Sequence, residues 1–148
     1  MTIYIPTAEP VFQLQVECAS PVPMGRIRGG NAMMIPITGG IISGARLSGE
    51  VLPGGADWAI IRDDGLVMVD ARYAIQASDG TIIQVFNTGT NRMVRDAHAK
   101  PPVMLTTPRF VAPEGVHDWL NHSVFVGTLI PDASGRLSPV NVGIFKLG

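Results

Sequence analysis

The chain has 148 residues, a formal net charge of −1, and 16% charged against 46% hydrophobic residues. This length suits a single domain, 1–148, with a real core. The balance excludes the basic stripe that nucleic-acid binding needs, and no apolar run or basic amphipathic helix suits a membrane.

The opening "MTIYIPTAEP" lacks a basic segment ahead of an apolar core, so no secretory signal is expected and the location is expected to be cytoplasmic. The single cysteine, Cys18, has no internal disulfide partner. Few charges on a small domain point to surface buried between subunits, so a homo-oligomer is expected. "VFQLQVEC" sets Phe12, Leu14, Val16 and Cys18 against Gln13, Gln15 and Glu17, the alternation of a half-buried strand. In that pattern Cys18 reads as a small apolar strand residue.

"SPVPMGRIRGG" reads as a loop. "NAMMIPI" reads as a strand whose Pro36 must lie at an edge or bulge, because proline has no N–H for a ladder. Gly39-Gly40 is read as a turn into "GIISGARLSGEVLPGG", with bulges or barrel corners at Gly44 and Gly49.

The stretch that follows, "DWAIIRDDGLVMVDARYAIQASDGTIIQVFN", reads as a three-stranded meander with turns at Asp64-Gly65 and Asp79-Gly80. Two-residue loops at both turns set Asp57 opposite Arg72, Ala59 opposite Asp70, Arg72 opposite Asn87 and Tyr73 opposite Phe86. Asp57, Asp70, Arg72 and Asn87 then share one largely apolar face, with Trp58 and Tyr73 on the other. A polar cluster removed from water must be mutually bonded or meet a ligand. The plain alternative is a structural ion pair of Arg72 with one or both carboxylates. A three-residue turn at Asp63-Asp64-Gly65 would slip the first strand by one residue, taking Asp57 out of the cluster and bringing Trp58 in.

Further on, "TNRMVRDAHAKPP" reads as a loop, "VMLTTPRFVAP" as a strand interrupted at Pro108, and "GVHDWLNHS" as the one short helix or 3₁₀ turn. "VFVGTLI" and "VNVGIFKL" read as closing strands joined by "PDASGRLSP". Seventeen glycines and twelve prolines punctuate short strands throughout. The expected fold is all-β: a single antiparallel β-barrel of about nine to ten strands with at most one short helix, closed so that no edge is left exposed.

No motif fixes a reaction. His98, His117 and His122 lack metal-ligand spacing beyond a weak His117-Asp118-His122 group that a solvated loop explains, so no metal or cofactor is expected. No serine sits on a nucleophile elbow, and no helix follows the glycine pairs as a phosphate cradle requires. Two carboxylates beside one arginine can be held at different pKa values and move a proton between two atoms. Trp58 and Trp119 are pocket walls or core; the Asn121 amide caps its turn or points at a ligand.

Together "PITGGIISGARLSGEVLPGGADWAIIRDDG", "DARYAIQASDGTIIQVFNTG", "TTPRFVAP" and "WLNHSVFVG" resemble the domain-of-unknown-function family 3237, also called uncharacterised protein family 0311. The resemblance implies a small antiparallel β-barrel, lipocalin-like in outline, and no assigned activity. Its matching positions suggest Asp57, Trp58, Asp70, Arg72, Asn87, Trp119 and Asn121 as pocket residues. The chain departs from the family pattern at Val103, Met104, Leu105 and Val111, where polar or aromatic groups are usual, which implies a more apolar ligand or a lost activity. The combined expectation is a pocket for a small organic acid, carbonyl or phenolic compound. In it Arg72 is the anchor, Asp57 or Asp70 the general base, Asn87 the orienting group, and Trp58, Trp119 and Asn121 the walls. A non-catalytic carrier and a structural oligomeric barrel are the alternatives.

Overall fold

The computed structural model describes residues 1–92, 103–131 and 138–148. The core of "TNRMVRDAHAKPP" and most of "PDASGRLSP" lie outside them, as does His98. Ten strands form one antiparallel sheet: β1 (Ala8–Cys18), β2 (Val22–Ile27), β3 (Gly30–Ser43), β4 (Gly49–Val51), β5 (Gly55–Arg62), β6 (Leu66–Ala77), β7 (Ile82–Arg92), β8 (Met104–Val111), β9 (Val124–Pro131) and β10 (Val140–Leu147). One short helix, α1 (Trp119–His122), lies between β8 and β9. Strand β1 pairs with both β10 and β3, which closes eight strands into a barrel with two extra. Closure pairs the β1 and β10 edges that an open sheet would present to other chains.

The extra strands are β2, which pairs only with β3, and β4, which fills three residues of the position between β3 and β6 before β5 takes it over. "VPMGRI" is therefore a strand, where a loop was expected. It forms because the β3 edge is free from Gly30 to Met34, beyond the reach of β1. Pro36 sits where that edge changes partner, between Met34 with β2 and Ile37 with β1, so its missing N–H breaks no continuous ladder. Gly39-Gly40 is no turn: β3 runs through it, and β8 likewise runs through Pro108, where it is paired to β7 alone.

One end of the barrel is plugged. Leu120 of α1 is fully buried, and Phe12, Phe110, Phe125 and Trp119 form an edge-to-face chain with successive centroids 5.8, 5.1 and 5.9 Å apart. Leu14, Ile75, Ile83, Val85 and Ile144 complete this core.

Both meander hairpins use three-residue loops instead of the two-residue loops expected. The Gly65 N–H donates to Arg62 O at 3.1 Å and the Gly80 N–H to Ala77 O at 2.8 Å. Each glycine takes positive φ, +85° and +91°, as a type I turn closed by a glycine bulge requires. Each extra loop residue moves β6 by one position against its neighbour. Asp57 therefore lies opposite Ala71, Ala71 opposite Asn87, and Arg72 opposite Ala56 and Phe86. A one-residue slip exchanges the faces of a strand. Val67, Val69, Ala71, Tyr73, Ile75 and Ala77 are buried inside, while Met68, Asp70 and Arg72 face outward.

Candidate functional site

The slip divides the expected cluster. Asp70 and Arg72 pair on the outside of the barrel, Nη2 to Oδ2 at 3.0 Å, with side chains 36% and 61% exposed. Arg72 is thus unavailable as an interior anchor, and Asp70 as an interior base. A pair this exposed contributes about 0–1 kcal/mol, so Arg72→Ala is expected to change unfolding free energy by less than about 1 kcal/mol in urea titration. Trp58, expected as a pocket wall, is 44% exposed on the outer face opposite Met34.

Asp57 and Asn87 do come together inside. They occupy one row across three strands, Asp57–Ala71–Asn87, continued by Ile35 on β3 and Pro108 on β8. Neighbouring strands lie about 4.8 Å apart, so the two polar side chains face each other at about 10 Å across the single methyl of Ala71. Nearby, Thr106 lies between glycines: it is opposite Gly127, and a Cβ added at Gly89 would press on its Cγ2. The Thr106 side chain and Pro108 occupy the space over Gly127, and Leu105 and Thr106 that over Gly89, so both positions admit only glycine.

The layer is also short of hydrogen-bond partners. Asn87 and Thr106 are each only 2% exposed, and neither Asn87 Oδ1 nor Thr106 Oγ1 has a partner. Each such orphan costs about 1–3 kcal/mol, an expense native interiors avoid unless something else meets the atom. Asp57 Oδ1 accepts the Asp70 N–H at 2.9 Å. Burial pushes the Asp57 carboxyl above the ordinary aspartate range, partly offset by that N–H and reinforced by the Asp70 charge. Among the described residues no positive charge acts on Asp57, and every arginine is exposed.

Cys18 lies within reach of the Asp57 charge, and Tyr73 within reach of Cys18. The Cys18 thiol is pushed up to about 11, first by burial and then by the Asp57 charge. The buried Tyr73 hydroxyl is raised by burial and by Cys18. Both are therefore held protonated at neutral pH, as hydrogen-bond donors. The signal for this face was the strand itself: 67, 69, 71, 73, 75 and 77 form an uninterrupted apolar period-2 set, whereas the alternate set carries Asp70, Arg72 and Gln76.

The other expected wall residues belong to the plug. Trp119 packs on Phe125, with the Arg46 guanidinium 3.8 Å from its ring centroid. The Asn121 amide clasps the chain after β8: Oδ1 accepts the Ala112 N–H at 2.9 Å, and Nδ2 donates to Ala112 O at 2.9 Å and Asp118 Oδ1 at 2.8 Å. The His117-Asp118-His122 group does not converge, since His117 bonds Asp79 and His122 bonds Asp118. Of the four departures, Met104 packs against the core while Val103, Leu105 and Val111 are exposed. No helix among the described residues is long and apolar enough to cross a membrane.

Comparison with known proteins agrees with this architecture. The model of the family described as protein of unknown function DUF3237 matches residues 6–142. UPF0311 protein RPA1785 of Rhodopseudomonas palustris is 34% identical over 128 residues, 80% of this chain and 84% of that protein. The crystal structure of a β-barrel-like protein of Acinetobacter baumannii is similar with a TM-score of 0.88 at 26% identity, covering 99% of both chains. At 23% identity, an enzyme from Penicillium herquei shares the fold with a TM-score of 0.78, covering 100% of this chain and 98% of that one.

Proposed function

We propose that this chain, which belongs to the DUF3237 family of proteins of unknown function, binds a small, partly apolar organic molecule inside its barrel. Asp57 is its proton-exchanging group. The observation that carries this reading is the row Asp57–Ala71–Asn87, which sets a carboxyl with a raised pKa and a buried, partnerless amide oxygen on either side of one alanine methyl. A carboxyl whose pKa burial raises is a stronger base than an ordinary aspartate, which suits cofactor-free isomerisation, cyclisation or elimination. The protonated Cys18 thiol adds a donor near it. A carrier would use the same row to orient its cargo without turnover.

The structural alternative makes an opposite prediction. Because the folded state holds the Asp57 proton more tightly than the unfolded chain, stability falls as pH rises from the unfolded to the folded pKa, and the penalty is full above it. Asp57→Asn keeps an acceptor for the Asp70 N–H and removes the charge. It is expected to raise the melting temperature by a few degrees at neutral pH, and the gain should disappear in acid, below the ordinary aspartate pKa. Thermal unfolding of both proteins across pH measures this. If Asp57→Asn lowers stability at neutral pH, the carboxylate is a structural element and the binding reading fails.

A further inference from the structure

The outer wall of the barrel carries a groove whose chemistry matches a segment that the barrel leaves unused. We propose that residues 1–6 form an arm that docks into this groove on a second copy of the chain. The arm, "MTIYIP", has no charged side chain and belongs to no strand or helix. Ile3, Tyr4 and Ile5 are 72%, 77% and 79% exposed, three large apolar side chains in a row held in water. A contiguous apolar run of this kind marks an interaction surface, unlike apolar residues scattered singly. The arm is also held outward. Thr7 exchanges two backbone hydrogen bonds with Gly148, at 2.8 and 3.0 Å, and Pro6 keeps Ile5 in extended backbone. A segment already extended loses little conformational freedom on docking.

The groove, of about 490 Å³, crosses β9, β10, β1 and β3 on the outside of the barrel. Gln15, Asn141 and Thr128 line it together with Ile41, Ile130 and Phe145, and no charged residue does. Each amide brings a donor and an acceptor, the two groups that the C=O and N–H of an extended backbone need. The three apolar residues are matched to Ile3, Tyr4 and Ile5, and Ile41 is itself 61% exposed. An uncharged arm meets an uncharged groove, so docking strands no charge away from water. The arm cannot fill the far end of its own groove. Gln15 pairs with Asn141 and Ile41 and lies eight residues beyond Thr7, about 26 Å along β1. Tyr4, three residues before Thr7, would span at most about 11 Å if it folded back. The occupant is therefore a second copy, and two copies that exchange arms cover both.

Sedimentation velocity of the full chain should show a dimer, twice the 15.7 kDa of one copy. Tyr4→Asp in the arm and Ile41→Asp in the groove are each expected to weaken self-association about tenfold or more. Both positions are exposed, so the barrel should keep its fold, which circular dichroism checks. Val116→Asp, also exposed and outside both surfaces, should associate like the unmodified protein. In a Cys18→Ala background, Tyr4→Cys combined with Ile41→Cys and a short bismaleimide should link one chain to another. A protein that stays monomeric at every concentration overturns the proposal. So does a dimer that survives both aspartates, an equal loss from Val116→Asp, or a cross-link that forms only within one chain.

Discussion

Valine at Gly40 is expected to prevent the barrel from closing. Gly40 lies in β3 opposite Val16 of β1, in the ladder that joins the ends of the sheet, and its φ is +148°. A side chain there occupies a glycine-only region of backbone space at about 1–3 kcal/mol. It would also collide with the Gln15 carbonyl, while Val51 Cγ2 lies 3.1 Å away. Neither neighbour can yield, one being backbone and the other a buried core residue. Strain, collision and lost pairing together should exceed about 4 kcal/mol, a large share of a total stability of about 5–15 kcal/mol. Gly54→Ala is the matched control. Gly54 has φ +109° but nothing within 4 Å of an added Cβ, so only the conformational cost applies. Urea unfolding followed by tryptophan fluorescence should show Gly40→Val unfolded or nearly so and Gly54→Ala cooperative; equal midpoints would refute the close-approach argument.

Asn121→Ala is expected to cost about 2–4 kcal/mol, since it removes one side chain from three hydrogen bonds and leaves both backbone groups of Ala112 without partners. Ala112 is buried, so water compensates poorly. The loss falls on the plug, where α1 is fixed to the end of β8. There is a second readout. The Asn121 side-chain Nδ2–H is the largest of the influences holding the Asp118 carboxyl below its usual range, ahead of His122. Its removal should move the Asp118 titration upward by NMR. An unchanged Asp118 titration would mean that the clasp does not persist in solution.

Much of the architecture was legible because period-2 alternation and glycine-proline punctuation are local signals. Strands β1, β3, β6, β7, β8, β9 and β10, the short helix at "WLN" and closure into a barrel all follow from them. What local signals could not supply was loop length. "DDG" and "SDG" suit either a two-residue turn or a three-residue turn with a bulge, and one residue decides which face of β6 looks inward. The turn rule outweighed the strand's own alternation, and it should not have: Asp70 and Arg72 are adjacent on one face, and a charged pair is more cheaply kept in water than buried. Asp57 reached the interior because its own strand slipped along with the second hairpin. Cys18 reads as a packing residue and Tyr73 as facing away from the cluster because nothing in a single strand shows which group stands across the barrel. Strand β2 was missed for a related reason, its only partner being an edge that exists once β1 has run out.

The β1–β10 seam has a consequence for synthesis on the ribosome. It joins the first strand to the last, from Ala8 with Leu147 to Val16 with Val140. Until the final strand emerges, the growing chain presents two unpaired borders and an unsealed apolar lumen. Its vulnerable interval therefore runs from the emergence of β1 to that of β10, and factors that shield nascent chains should affect its yield more than those that act on finished proteins.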